Sequence, residues 1–222
     1  MEESTILLSA TLLCDCSATL NGGAVHSGTG SVAVLRECNF SANSADGVGG
    51  AACVEEAATL EISLCEFLGD ATLKALSDDG TTAEQGGCLY ARDANISIAD
   101  SRFSSCAADG YGSAIYADSP RAPMWINRTI FENNTAGEDS RDAAAYLSAG
   151  KFELLECVVL GSIDNDGENK GAIYLGGAGT YARFTRCAFI ENPRAVLLQC
   201  SPRIDLRSVC AVFGMETRRS SR

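Results

Sequence analysis

Histidine is almost missing from this chain: His26 is its only one, which excludes metal and catalytic sites that need a second imidazole. Basic residues are scarce as well, 17 Lys and Arg against 29 Asp and Glu, for a formal charge of −12. A surface with that excess repels phosphate backbones and anionic lipid, so no nucleic-acid partner is expected. There are only four prolines, and apolar residues make up 46% of the chain, which argues for an ordered chain over a disordered one. Long apolar runs are absent too; none approaches the roughly 20 residues of a membrane span, so no transmembrane segment is expected. The opening MEESTILLSATLLCDCSA has no basic stretch ahead of an apolar one and does not read as a signal peptide.

What the 222 residues have in quantity is repetition. A cluster of small residues followed by an aliphatic one occurs as GGAVH from Gly22, GGAAC from Gly49, GGCLY from Gly86, GSAIY from Gly112, DAAAY from Asp142, KGAIY from Lys170 and PRAVL from Pro193. A second motif accompanies it: CNFSAN from Cys38, CEFLGD from Cys65, SRFSSC from Ser101, TIFENN from Thr129, CVVLGS from Cys157 and CAFIEN from Cys187. Successive copies lie 23 to 37 residues apart, most near 28. Ahead of the second motif the pairs Ala33/Leu35, Leu60/Ile62, Ile96/Ile98, Met124/Ile126, Phe152/Leu154 and Ala182/Phe184 alternate with more polar residues, the period of a short strand with one buried face. Length varies at one point of the repeat, the surface-loop signature, and is greatest at 70–85.

Two or three short strands per repeat with glycine at the corners predict an all-β fold, a single parallel β-helix of about seven coils, right-handed because parallel crossovers favour that hand. The leucine-rich repeat is the nearest rival, but its L-x-x-L-x-L frame is missing. Stacked coils place equivalent residues in columns. Cys38, Cys65, Ser101, Thr129, Cys157 and Cys187 form a column of small side chains. Phe40, Phe67, Phe103, Phe131, Val159 and Phe189 form an aromatic one beside it, and Asn43, Asp70, Cys106, Asn134, Ser162 and Asn192 a turn column that satisfies backbone groups. The expected organisation is a partial N-terminal coil over 1–21, the repeat domain over 22–213 and a basic disordered tail over 214–222. Cys14 or Cys16 would head the first coil, and Val209 or Cys210 the last.

The pairing of GGA-aliphatic with F-x-x-N resembles the repeat of the polymorphic outer membrane proteins. It is carried by GGAV at Gly22 with FSAN at Phe40, GSAI at Gly112 with FENN at Phe131, and GAI at Gly171 with FIEN at Phe189. The resemblance covers about residues 22 to 213; FLGD, FSSC, VLGS and DAAAY depart from it. It implies a right-handed β-helix of the pectin-lyase-like type with an adhesive role at a cell surface. The expectation is a noncatalytic surface or secreted scaffold or spacer, adhesin-like, binding a protein or glycan without a cofactor. Its alternative is a β-helix polysaccharide lyase or glycoside hydrolase. The location expected is extracellular or at the cell surface, the chain being a fragment whose signal sequence lies elsewhere, and uncapped strand edges suggest end-to-end self-association.

Chemistry-bearing residues each have a packing explanation. Eleven cysteines point to an oxidising compartment, yet an in-register column holds Cβ atoms about 4.8 Å apart, too far for a disulfide, so Cys38/Cys65 and Cys157/Cys187 are expected as stacked free thiols. A Cys200–Cys210 disulfide is allowed. Zinc at Cys14 and Cys16 lacks the C-x2-C spacing. Tyr90, Tyr116, Tyr146 and Tyr174 follow the aliphatic residue of four successive clusters, in the place of His26, and form either an exposed ladder for a sugar or partner or a laterally packed one. The acids Asp78/Asp79 and Asp164/Asp166/Glu168 fall in loops without forming a paired-carboxylate array, and DNDGEN from Asp164 resembles part of a calcium loop but has Leu175 where the bidentate Glu belongs. N-x-S/T sequons begin at Asn39, Asn95, Asn127 and Asn133, and alternation points the first three outward as glycan acceptors.

Overall fold

The computed structural model describes residues 4–72, 85–137, 142–164, 171–192, 194–198, 203–207 and 210–212. All regular structure there is β-strand, and every strand pair is parallel. Period-two patterning is why: Val32–Arg36 turns Ala33 and Leu35 fully inward and leaves Arg36 exposed, and Thr59–Ser63 does the same with Leu60 and Ile62. Each coil contributes one strand to each of four sheets, here A to D. The second coil has Val32–Arg36 in A, Asn39–Ser41 in B, Ser44–Ala45 in C and Ala52–Glu55 in D. Sheets A and B have eight strands, C six and D seven, so the molecule is a parallel β-solenoid of about six complete turns. The sequence predicts two or three strands per repeat; the fourth was hidden because the sheet C strands are two residues long, too short to alternate.

Equivalent residues lie over one another. Phe40, Phe67, Phe103 and Phe131 share register and stack at centroid separations of 4.5, 4.6 and 5.4 Å, with interplanar angles of 12° or less. Leu13 precedes them, Val159 and Phe189 follow, and Phe189 meets Phe184 edge-on at 5.9 Å. Stacked rings in a dry interior add about 0.5–1.5 kcal/mol per pair to the burial itself. First-coil register differs from the expectation: Cys14 lies opposite Ser41, not at the head of the small-residue column. Thr11 heads it, as its hydroxyl donates to Ser9 O. At the other end Cys210 pairs with Ala188 and so does not head the last coil; Val209 lies outside the described residues.

The corners explain why Cys, Ser and Thr interchange. Before each member of that column a residue adopts positive φ: Glu37, Leu64, Asp100, Arg128, Glu156 and Arg186, between 45° and 56°. This single left-handed residue turns the chain from sheet A to sheet B, and the side chain after it points inward and bonds back across the bend. Cys38 Sγ donates to Arg36 O at 3.2 Å, Ser101 Oγ to Ala99 O at 2.7 Å and Thr129 Oγ1 to Asn127 O at 2.9 Å. Cys65, Cys157 and Cys187 also reach a carbonyl of the coil before, at 3.3 to 3.5 Å. The column therefore selects a small donor, and its four cysteines are free.

A second left-handed corner, at Ala42, Gly69, Ser105, Asn133, Gly161 and Glu191, precedes the turn column. There an asparagine joins two coils. Asn134 accepts from Cys106 N at 3.0 Å and donates through Nδ2 to Phe103 O at 3.2 Å; Asn192 repeats this with Ser162 N and Val159 O, and Asn43 with Cys16 N and Leu13 O. Both groups it satisfies belong to the preceding coil, and both would otherwise be buried and unpaired. The glycine pair of the repeat is steric at its second member: a Cβ on Gly50 would lie 2.1 Å from Gly87 O.

One disulfide joins Cys88 to Cys106, 18 residues apart in sequence. Cys88 is in the column otherwise held by alanine (Ala51, Ala114) and Cys106 in the asparagine column; the two come from different columns, their Cα atoms 5.6 Å apart, and escape the column-spacing argument. Reducing this bond should lower stability by about 3 kcal/mol, from the loop it closes. Denaturant melts with and without reductant measure it, and mapping of thiol labels in the native protein should find Cys14 modified well before Cys38, Cys65, Cys157 or Cys187.

Asp70 is the other departure in the turn column. Its Oδ1 accepts from both Asn43 N and Nδ2, each at 2.8 Å, but it has no amide to offer the preceding coil. Burial pushes its pKa from 3.8 up to about 6, against the opposing pull of the Asn43 hydrogen bonds. A raised acid means the fold prefers the protonated form, so this contribution is complete below about pH 4 and lost as pH rises through about 6. Asp70→Asn should thus stabilise the protein by about 2–3 kcal/mol at pH 7 and flatten stability between pH 4 and 6. Urea midpoints across that range are the check.

Candidate binding surfaces

Outward positions are mostly neutralised between coils. Arg102 pairs with Glu66 and Glu132 on sheet B, while Arg128 pairs with Asp100 and Arg186 with Glu156 at the first corner, each coupling residues about one coil apart. These pairs are exposed and contribute little individually. The exception is on sheet A near its C-terminal end. Lys151, Tyr181 and Arg203 lie in register on three successive strands, and beside them Glu153, Arg183 and Asp205 form the next outward row. With Gly179 and Thr180 as a wall, five of these six residues, Asp205 apart, line a groove of about 710 Å³. Thr180 holds that wall by accepting from Ala149 N at 2.9 Å and donating to Gly176 O.

Three cations and one carboxylate line the groove of an otherwise acidic chain. Arg183 lies over the Tyr181 ring, 5.8 Å from its centroid, and is held by Glu153 at 3.3 Å and Asp205 at 3.2 Å. Tyr181 first, then Glu153, raise its pKa and fix its charge. Lys151 and Arg203 are the exposed members of the row, and among the described residues no ion pair holds either of them. The result is a shallow site with an anchored guanidinium over an aromatic ring and two open cations, suited to a carboxylate-bearing ligand with an apolar face. Sequence patterning missed these residues because they fall at outward offsets of the alternation, where types vary freely; the only available signal was their common offset ahead of the second motif.

The tyrosines are on the outward face of sheet D. Tyr90, Tyr116, Tyr146 and Tyr174 are in register and stack at 5.0, 4.9 and 4.8 Å, nearly parallel. Tyr90 and Tyr174 are buried and Tyr116 and Tyr146 half-buried, with Tyr111 tilted against Tyr146 at 5.2 Å. Ring faces are occupied by the neighbouring rings, so the column offers edges and not the open faces that a sugar ring stacks on. Burial raises the phenol pKa of Tyr90 and Tyr116.

Of the sequon asparagines, Asn39 and Asn133 are exposed, and Asn95 and Asn127 half-buried, Asn127 Oδ1 being buried without a partner. The left-handed φ of 52° at Asn133 places it on the second corner. Asp78, Asp79, Asp166, Glu168, Cys200 and the tail from 214 lie outside the described residues, as does most of the DNDGEN segment. Among the described residues no helix is long and apolar enough to cross a membrane. No protein-family model, curated protein or solved structure matches the chain.

Proposed function

We propose that this chain is a noncatalytic surface or secreted scaffold, a stiff adhesin-like spacer whose sheet A groove binds an acidic glycan. The observation that carries this reading is the reversal of local charge at Lys151, Arg183 and Arg203 around Tyr181. At physiological ionic strength charges beyond about 8 Å are largely screened, so these cations govern a carboxylate seated among them despite the formal charge of −12. The Cys88–Cys106 disulfide supports an oxidising, extracellular setting, and the solenoid itself supports the resemblance to the polymorphic outer membrane protein repeat.

The noncatalytic part rests on the carboxylates at the groove. Glycoside hydrolysis uses two acids facing a cleft, one of them able to protonate the leaving group. Glu153, in the groove, and Asp205, beside it, are both engaged by the same guanidinium, that of Arg183, an arrangement that holds a cation in place.

Binding to uronate-bearing oligosaccharides over neutral ones is expected on a glycan array, weakening as salt rises. The double substitution Lys151→Glu with Arg203→Glu should reduce it at least tenfold without loss of the β-sheet circular dichroism. Equal binding by that variant, or preference for neutral glycans, would overturn the site; release of shortened or unsaturated products would overturn the noncatalytic reading in favour of a lyase or hydrolase.

A further inference from the structure

At the N-terminal end of sheet D the tyrosine column changes character. Its register continues from Tyr90 to Cys53 and then to His26, replacing rings by a thiol and an imidazole. Strand alternation sends Val54 inward and returns Glu55 to the outward face, two residues beyond Cys53. One donor atom from each of His26, Cys53 and Glu55 lies within 4.8 Å of the others, and His26 Nε2 is 3.8 Å from Glu55 Oε2. The two strands that carry them, Val25–Ser27 and Ala52–Glu55, are hydrogen-bonded neighbours, so their relative placement is set by the backbone ladder.

We propose that His26, Cys53 and Glu55 form a binding site for a single zinc-like divalent cation, with water as fourth ligand, clipping the first coil to the second. Donors sharing one tetrahedral zinc at roughly 2.0–2.3 Å are roughly 3.3–3.8 Å apart, so the present separations need a contraction of at most about 1.5 Å. That lies within the rotamer freedom of the exposed His26 and partly exposed Glu55. A nitrogen, a sulfur and a carboxylate oxygen suit zinc and not calcium or magnesium, which take oxygen ligands.

Burial gives the site an inside and an outside. Cys53 is fully buried, while the His26 side chain is half exposed and leaves an entry path and room for the water. Tyr90, next in the column, closes the side away from His26. Arg92, opposite Glu55 in the next coil, is a competing cation: it hydrogen-bonds Tyr90 and also attracts Glu55, which lies close to His26 as well. Binding of a divalent ion by the Cys53 sulfur would release the thiol proton to solvent. The site differs from the Cys14/Cys16 pair, which lies on and beside sheet B.

The test is Co2+ and Zn2+ titration of the full chain freed of metal by chelator. Cobalt should bind at one equivalent with a thiolate-to-metal charge-transfer band and the intense visible bands of a tetrahedral ion; zinc should displace it and raise the melting temperature. His26→Gln, at an exposed position where folding is not at risk, should weaken binding roughly 10–100-fold. Cys53→Ser should abolish the charge-transfer band, and Cys14→Ser with Cys16→Ser should leave it unchanged. Absence of the band in the wild type, its survival in Cys53→Ser, or unchanged affinity in His26→Gln would each overturn the assignment. None of these readouts involves glycan binding.

Discussion

In-register hydrogen bonding between successive coils is the constraint on which everything else in this molecule depends. Because each strand pairs parallel with its counterpart one coil away, whatever side chain stands at a given offset meets its own equivalent above and below. The fold thereby turns a one-dimensional repeat into columns, and each column imposes its own chemistry: planar apolar rings on one, a small donor on another, an amide on a third. Parallel ladders are individually unremarkable in strength. Their effect here is selection, since a residue that fails its column disturbs two coils.

The same logic separates structure from function. Columns that serve the fold are uniform along the axis, as with the phenylalanines inside and the tyrosines outside. Surfaces available for another role are those where a column is broken. On sheet A the outward row of Leu7, Val34, Glu61, Ser97 and Trp125 leads to Glu153, Arg183 and Asp205, with Lys151, Tyr181 and Arg203 in register beside them. On sheet D they pass from tyrosine to Cys53 and His26. Breaks of this kind are where the chain stops obeying its own repeat, and both fall toward opposite ends of the solenoid.

Legibility in the sequence followed the inside-outside division. Inward positions were readable because burial restricts them: the alternation of Leu60 with Ile62, the recurrence of phenylalanine, and the spacing of cysteine with serine and threonine all reported a core. The corners were not, since left-handed φ is borne by Glu37, Leu64, Asp100 and Arg128, residues with no common type; the surrounding ladder imposes the conformation and local preference does not. Cys88 with Cys106 was missed because each is the odd residue in its own column, and a contact between two different columns has no period. The groove and the His26 cluster were missed for a related reason: outward offsets carry no packing restraint, so only three-dimensional register shows which of them are neighbours.

The two left-handed corners consist of one residue each and admit no extra length. Additional residues are taken up in the links from sheet C to sheet D, which hold six residues between Ala45 and Ala52 and sixteen between Thr72 and Leu89. Foreign peptides inserted there in consecutive coils would emerge along a single line, one strand spacing of about 4.8 Å apart, without altering the two left-handed corners. The molecule is in that respect a ruler with one writable margin.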